Sequence, residues 1–388
     1  MKGRYRWLAG LNFFVSGTMA FIAIYFPLIL ERKSFTLSEI GFALAIGSLV
    51  GFFGQFFWGM TSDRRGSIRF VLFALTAGTC LLAFGLRLSD SYLLALTFAV
   101  AIRFCSTSLL PLTDLWTLRH SENGSGNFGA FRLWGSVGYV ASALAFGWAA
   151  SLFDLNATFW ALWLTAALYA LAVFLLPETG RPADSKAPKI SEALSLFRAP
   201  ATWLFLGVTL LINVPARAFD GFFSLYVKSM GGDDGMIAAA AIVAPLFEIP
   251  FFLYGTKWIG RIGHRSMLLY SALLYMAIWL FYMWNDSVIL LALSQVAMSG
   301  AYVMFYLAAL SHMRAFVPER LRATGQMLLF MFMNTLSAFA GNALAGYMLE
   351  NGHRTWLFGF SLAFACGALI LVRLLPKAAV NNRSSIAD

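Results

Sequence analysis

Residues 59–69 read Gly-Met-Thr-Ser-Asp-Arg-Arg-Gly-Ser-Ile-Arg. This short, basic stretch separates two apolar runs, near 37–60 and 69–87, each close to the ~20 residues a helix needs to cross hydrocarbon. A charged connection this brief between two such runs predicts a helical hairpin that turns at a membrane surface. Ten further runs obey the same rule, near 7–30, 91–117, 128–151, 157–176, 202–228, 236–259, 266–284, 288–312, 323–349 and 355–375. The chain is 60% hydrophobic and 12% charged, against about 25% charged in an ordinary soluble domain. The expected fold class is therefore an all-α membrane protein with twelve transmembrane helices.

A weaker copy of the opening stretch occurs at 255–265, Gly-Thr-Lys-Trp-Ile-Gly-Arg-Ile-Gly-His-Arg, after the eighth run and with Ile259 where the first copy has Asp63. Repetition at the same place in each half predicts two six-helix lobes, 1–176 and 201–388, joined by a polar linker over 177–200. Within the linker, Ser191 to Arg198 reads as a short amphipathic helix along the membrane surface, with Leu194, Leu196 and Phe197 toward lipid. Twenty of the 28 lysines and arginines fall on the side of the two termini and five on the other. That asymmetry predicts cytoplasmic termini for a multi-pass protein of the cell inner membrane.

Composition also excludes functions. The basic residues are scattered over short loops without a stripe or patch, so no nucleic-acid partner is expected. Cys80, Cys105 and Cys366 sit in apolar runs without metal or redox spacing. The four histidines lie at run ends or in loops, and no Gly-x-x-x-x-Gly-Lys-Ser/Thr loop is present. Neither an enzyme nor an ATP-driven pump is expected, and no cofactor beyond a proton as coupling ion. The expected partners are a small-molecule solute and membrane lipid, around a monomer.

Six charged residues lie more than two residues inside the ends of the runs: Arg103, Asp114, Arg132, Arg217, Asp220 and Glu248. A charge in hydrocarbon costs roughly 2.5–3.5 kcal/mol on insertion scales, so such residues face a partner or a wet cavity. Asp114 closes one run and Arg132 opens the next, which makes them either a solute site or a salt bridge at headgroup level. Arg217 and Asp220 share a helix face and form either a local pair or part of a cavity. Glu248, between Pro245 and Pro250 and with no base one turn away, is the leading proton-site candidate. Arg103 either attracts an anion or neutralises an acid of the first half. Tyr25, Trp116, Trp134, Tyr139, Phe223 and Tyr302 offer an aromatic wall. Asn12, Gln55, Asn213, Gln326 and Asn334 either reach a cavity or join helices by hydrogen bonds.

The pattern Gly59, Asp63, Arg64, Gly66, Arg69 resembles the loop between helices two and three of the major facilitator superfamily, where it has a gating role. Pro111-Leu-Thr-Asp114 followed by Arg132-Leu-Trp-Gly-Ser-Val137 is similar to the branch of phenylpropionate/proton symporters, and more distantly to lactose permease and nucleoside/proton symporters. The resemblance implies that Asp114 and Arg132 hold the solute and that Tyr139 stacks on it. Arg103, Trp134 and Gln326 are further substrate-binding candidates. Glu248, with Asp220 and Arg217, is the expected proton-coupling group. The histidine/glutamate pair of lactose permease is missing from the tenth run, which carries Gln295 and Ser299 instead; His312 is expected as a surface or loop-packing residue. The function implied is proton-coupled uptake of an aromatic carboxylate, sugar or nucleoside by alternating access, with Arg132 and Arg103 favouring the carboxylate. The alternative is a proton-coupled drug or metabolite exporter.

Overall fold

The computed structural model describes residues 2–120, 128–178, 200–317, 322–352 and 354–375; the surface helix expected at Ser191–Arg198 lies outside them, as do His353 and most of the linker. Twelve helical spans are long and apolar enough to cross a membrane: Tyr5–Arg32, Leu37–Ser62, Ile68–Leu88, Tyr92–His120, Leu133–Leu152, Ala157–Leu175, Pro200–Ser229, Asp234–Gly255, Lys257–Trp284, Val288–Met313, Gly325–Asn351 and Arg354–Leu374. No strand occurs among the described residues.

Span starts follow from capping chemistry. Span two opens with a capping box, in which Glu39 N–H donates to Thr36 Oγ1 at 3.2 Å and Thr36 N–H to Glu39 Oε2 at 2.8 Å. Asp233 accepts from Met236 N–H at 2.7 Å to open span eight. Ser67 caps span three, and Glu178 completes that cap by accepting from Ile68 N–H at 3.1 Å and Ser67 Oγ at 2.9 Å. The first residues after span six are therefore anchored to span three. Gly66 ends the helix Leu37–Arg65 at φ 67, a left-handed conformation that glycine adopts without steric cost.

Packing repeats between the halves. Span one lies against spans five and six, as span seven lies against eleven and twelve. Span two packs on four and span three on four and six; the helix Val243–Trp284, which carries most of span eight and all of span nine, packs on ten and twelve. The two copies of the basic loop share one device. Arg69 donates to the Phe174 carbonyl at the end of span six, and Arg265 donates from Nε to the Val372 carbonyl at 3.2 Å and from Nη2 to the Arg373 carbonyl at the end of span twelve. Each arginine satisfies orphan carbonyls at a helix C-terminus, where cations are favoured.

The halves meet at the end of the molecule away from the termini, where span two crosses span eleven and span five crosses span eight. A Cβ at Gly41 would stand 2.9 Å from Gly346 Cα and 2.5 Å from the Asn342 carbonyl; a Cβ at Gly147 would stand 2.6 Å from Ala238 Cβ. Polar ties flank this seam. Lys228 pairs with Glu31 at 2.6 Å, and Ser38 N–H donates to Glu350 at 2.6 Å.

Several spans are irregular in ways the hydropathy pattern does not predict. Span one contains a π-helical segment, Phe21–Tyr25, just before Pro27, which cannot donate to the Ala23 carbonyl. Span four breaks into helices Tyr92–Ser106 and Leu109–His120. Pro111 leaves the Thr107 carbonyl without its helical donor, and Gln55 Nε2 supplies one at 3.0 Å. A Cβ at Gly59 would meet nothing within 4 Å, so this glycine of the basic loop serves no close helix approach in this state. His312 is not a surface residue. It is 3% exposed, stacked on Phe205 with ring centroids 4.5 Å apart, with His264 edge-on at 5.1 Å.

Candidate functional site

A cavity of about 320 Å³ opens between the halves, within the range of roughly 300–1,000 Å³ typical of small-molecule sites. Span one contributes Ala23 and Ile24 from its π-helical segment, and span five contributes Tyr139. The second half supplies the rest of the described wall, including every charge among the described residues: Arg217 and Asp220 from span seven and Glu248 from span eight.

Arg217 and Asp220 pair at 3.1 Å with their side chains 26% and 48% exposed. The pair is local to span seven, and both residues line the cavity. The Arg217 guanidinium also lies 5.9 Å from the centre of the Tyr302 ring, within reach of a cation–π attraction. Glu248 follows Pro245, which also lines the cavity, and Ser299 Oγ donates to the neighbouring Ala244 carbonyl at 2.7 Å. Pro245 and Pro250 remove the helical donors to the Ala241 and Leu246 carbonyls on either side of Glu248, and the Ser299 hydroxyl ties span ten to this irregular stretch. Phe223, Tyr275, Tyr302, Gln295 and Met298 complete most of the wall.

Among the expected site residues, Tyr139, Arg217, Asp220 and Glu248 converge on this cavity. Asp114 is half-buried on the second helix of span four and does not line it. The Arg132 side chain lies outside the described residues, as does that of Asp63. Arg103 points its stem at span two: a Cβ at Gly47 would stand 2.8 Å from Arg103 Cγ, and Arg103 Nε has no hydrogen-bond partner among the described residues. Trp134 is 42% exposed and off the cavity wall, because five residues along a helix rotate it about 140° from Tyr139. Gln326, exposed at the start of span eleven, is also off the wall. The structure thus does not bring Arg103, Asp114, Trp134 or Gln326 to the cavity. The cost of buried charge located the acids of span seven and eight, but carries no information about which helix face turns inward.

Most of the other polar candidates join helices or close their own turns. Asn12 donates to Thr117 Oγ1 at 2.9 Å, Asn213 to the Thr209 carbonyl at 2.8 Å, and Asn334 to the Phe330 carbonyl at 3.2 Å. The Tyr25 hydroxyl donates to the Ala143 carbonyl at 2.7 Å and Trp116 is fully buried, so neither faces the cavity. Tyr275, Gln295 and Ser299 line the cavity without being among the expected site residues; the signal for the last two is a pair of polar residues one turn apart within an apolar run.

Comparison with known proteins matches this architecture. Maltose permease of Geobacillus stearothermophilus is 27% identical over 370 residues, covering 95% of this chain and 93% of that protein. The probable 3-phenylpropionic acid transporter of Escherichia coli (strain K12) is 23% identical, covering 80% of this chain and 82% of that protein. In the solved structures, the nucleoside transporter NupG (D323A mutant) superposes with a TM-score of 0.86 at 14% identity, covering 97% of this chain and all of NupG, which shows a shared fold. A D-xylose-proton symporter superposes with a TM-score of 0.68 at 14% identity, over 96% of this chain and 97% of that one. The MFS_1 like family model matches residues 5–360, and with twelve spans in two repeated halves around a central cavity the chain is a multi-pass membrane transporter that belongs to this family.

Proposed function

We propose that the protein is a proton-coupled carrier that takes up a small, neutral, hydroxyl-bearing solute by alternating access, with its termini in the cytoplasm. The carrying observation is the cavity, where two carboxylates and one guanidinium stand among tyrosines, Gln295 and Ser299. With Arg217 engaged by Asp220, the described wall offers no spare cation for a carboxylate. Hydroxyls, by contrast, find acceptors and aromatic faces there. Relatives named for maltose and nucleosides support the same class. Residues 1–176 and 201–388 act as the two rocking bodies, joined by 177–200, within a single monomer. Closure at the end away from the termini makes this the state open toward the cytoplasm.

Coupling arises when solute and proton favour the same conformation. Glu248 and Asp220 are the protonation sites in this scheme. Protonating Asp220 would release Arg217 from its ion pair, and protonating Glu248 would neutralise the second carboxylate of the wall.

The test is uptake of labelled maltose, uridine and phenylpropionate by proteoliposomes under an imposed inward proton gradient, in wild type, Glu248→Gln and Asp220→Asn. Accumulation of a hydroxyl-bearing solute, lost in at least one variant that still exchanges solute at equilibrium, supports the proposal. Accumulation of phenylpropionate alone refutes the solute class. Release of solute from preloaded vesicles under the gradient would establish export instead.

A further inference from the structure

Gln295 and Ser299 stand one helical turn apart on span ten, and both line the cavity. Behind them runs a chain of hydrogen bonds. Gln295 Nε2 lies 2.9 Å from the Tyr282 hydroxyl, that hydroxyl lies 2.8 Å from Ser294 Oγ, and Ser294 Oγ lies 2.6 Å from the Leu291 carbonyl. A carbonyl only accepts, so Ser294 commits its hydrogen to Leu291. Tyr282 then donates to Ser294, and the Tyr282 oxygen is left to accept from Gln295, which only the amide nitrogen can satisfy. The direction of the chain therefore fixes the carboxamide with Nε2 toward Tyr282 and leaves Oε1 for the cavity.

Tyr282 is rigidly held. It is fully buried, with its ring centroid 4.9 Å from that of Phe219, 5.9 Å from Trp279 and 5.5 Å from Phe358. Ser299 is committed in the same sense. Its Oγ lies 2.7 Å from the Ala244 carbonyl and 3.0 Å from the Gln295 carbonyl, so its one hydrogen is directed into the protein and lone pairs remain for a solute.

We infer that Gln295 Oε1 and Ser299 Oγ form an acceptor-only subsite that reads a hydrogen-bond donor on the solute, with Tyr282 as the positioning residue that prevents the Gln295 amide from flipping. The inference rests on the transport reading above and sharpens it. The subsite takes a hydroxyl or ring N–H and discriminates against an ether oxygen or fluorine at the same position, which accept but cannot donate.

The experiment uses the full-length protein, with binding measured in detergent and uptake in proteoliposomes. The probes are maltose, xylose and uridine, each with its single-position deoxyfluoro analogues. For the solute that binds, one fluorinated position weakens wild-type binding about three- to tenfold, the worth of one neutral hydrogen bond. In Tyr282→Phe the amide is free to turn, so that ratio falls toward one through a rise in KM for the parent solute at unchanged kcat. Ser294→Ala removes the acceptor of Tyr282 without touching the aromatic cluster and gives the same collapse. Gln295→Glu, which keeps acceptor oxygens and loses the donor, retains the preference for hydroxyl. Wild-type binding with no sensitive position, or an unchanged ratio in both Tyr282→Phe and Ser294→Ala, overturns the subsite while leaving the carrier reading intact. Absence of binding and uptake for every probe defeats the carrier reading and the subsite together.

Discussion

Adding one methyl group at the seam should shift the conformational equilibrium of the whole protein. In Gly41→Ala the new Cβ stands 2.9 Å from Gly346 Cα and 2.5 Å from the Asn342 carbonyl, both backbone atoms of the opposite lobe. Neither can rotate away, so the crossing of spans two and eleven must part. Overpacking of this kind costs about 1–3 kcal/mol, and it falls on the closed-seam state alone. The helix-propensity gain of alanine over glycine applies to both states and cancels. The population ratio then shifts by about 5- to 150-fold toward the state open at this end. The assay replaces Cys80, Cys105 and Cys366 and introduces Ala216→Cys in the cavity wall. It then measures labelling of intact cells by a membrane-impermeant maleimide. The rate rises by that factor in Gly41→Ala and in Gly346→Ala, whose Cβ meets the Leu37 carbonyl at 2.5 Å. Gly59→Ala, where a Cβ meets nothing within 4 Å, leaves the rate unchanged. An unchanged or slower rate in both seam variants would refute the reasoning.

Three further outcomes follow from the same geometry. Lys228→Ala breaks an ion pair between lobes whose side chains are 51% and 36% exposed, so it moves the same labelling rate by less than about fivefold, in keeping with exposed pairs. Arg69→Ala and Arg265→Ala each remove hydrogen bonds from a cation to a helix C-terminus, about 1.5–3 kcal/mol apiece, and each lowers the unfolding temperature in detergent by several degrees, whereas an equal loss from Arg261→Ala, at an exposed arginine of the second basic loop, would argue against the capping role. Partial burial alone would raise the Asp154 carboxyl, but hydrogen bonds from Asn156 and Ala157 and the Arg32 guanidinium hold it below the ordinary carboxylate range. A depressed folded value contributes stability above the unfolded value of about 3.9 that disappears as pH falls through the folded one. Asp154→Asn should flatten that part of the acid limb of a thermal-unfolding profile, and an unaltered limb counts against it.

The spans were legible because twenty apolar residues in sequence have few other stable fates, and the two halves because the basic loop recurs. Arg217, Asp220 and Glu248 were legible because a charge in hydrocarbon demands a wet surface or a partner. Rotational facing was not. In a soluble helix the polar stripe marks the exposed face, but span five is apolar toward lipid, neighbour and cavity alike, so Tyr139 and Trp134 look equivalent in sequence and differ by about 140° in space. Arg103 illustrates a related limit. Its charge announced burial but not direction, and its stem lies against Gly47 on span two. The π-helical segment at Phe21–Tyr25 and the break at Thr107 follow from Pro27 and Pro111, yet a proline in a span gives no sign of whether the helix bulges or breaks.

The glycine crossing of spans two and eleven also sets a schedule for biogenesis. Gly41 and Gly346 are separated by most of the chain, and at roughly 5–20 residues per second a ribosome takes about 15–60 s to add the intervening segment. For that interval the small-residue face of span two has no partner from the second half. The insertion machinery or surrounding lipid must occupy it without trapping it, so the nascent first lobe waits in the bilayer with its seam uncovered until the eleventh span arrives.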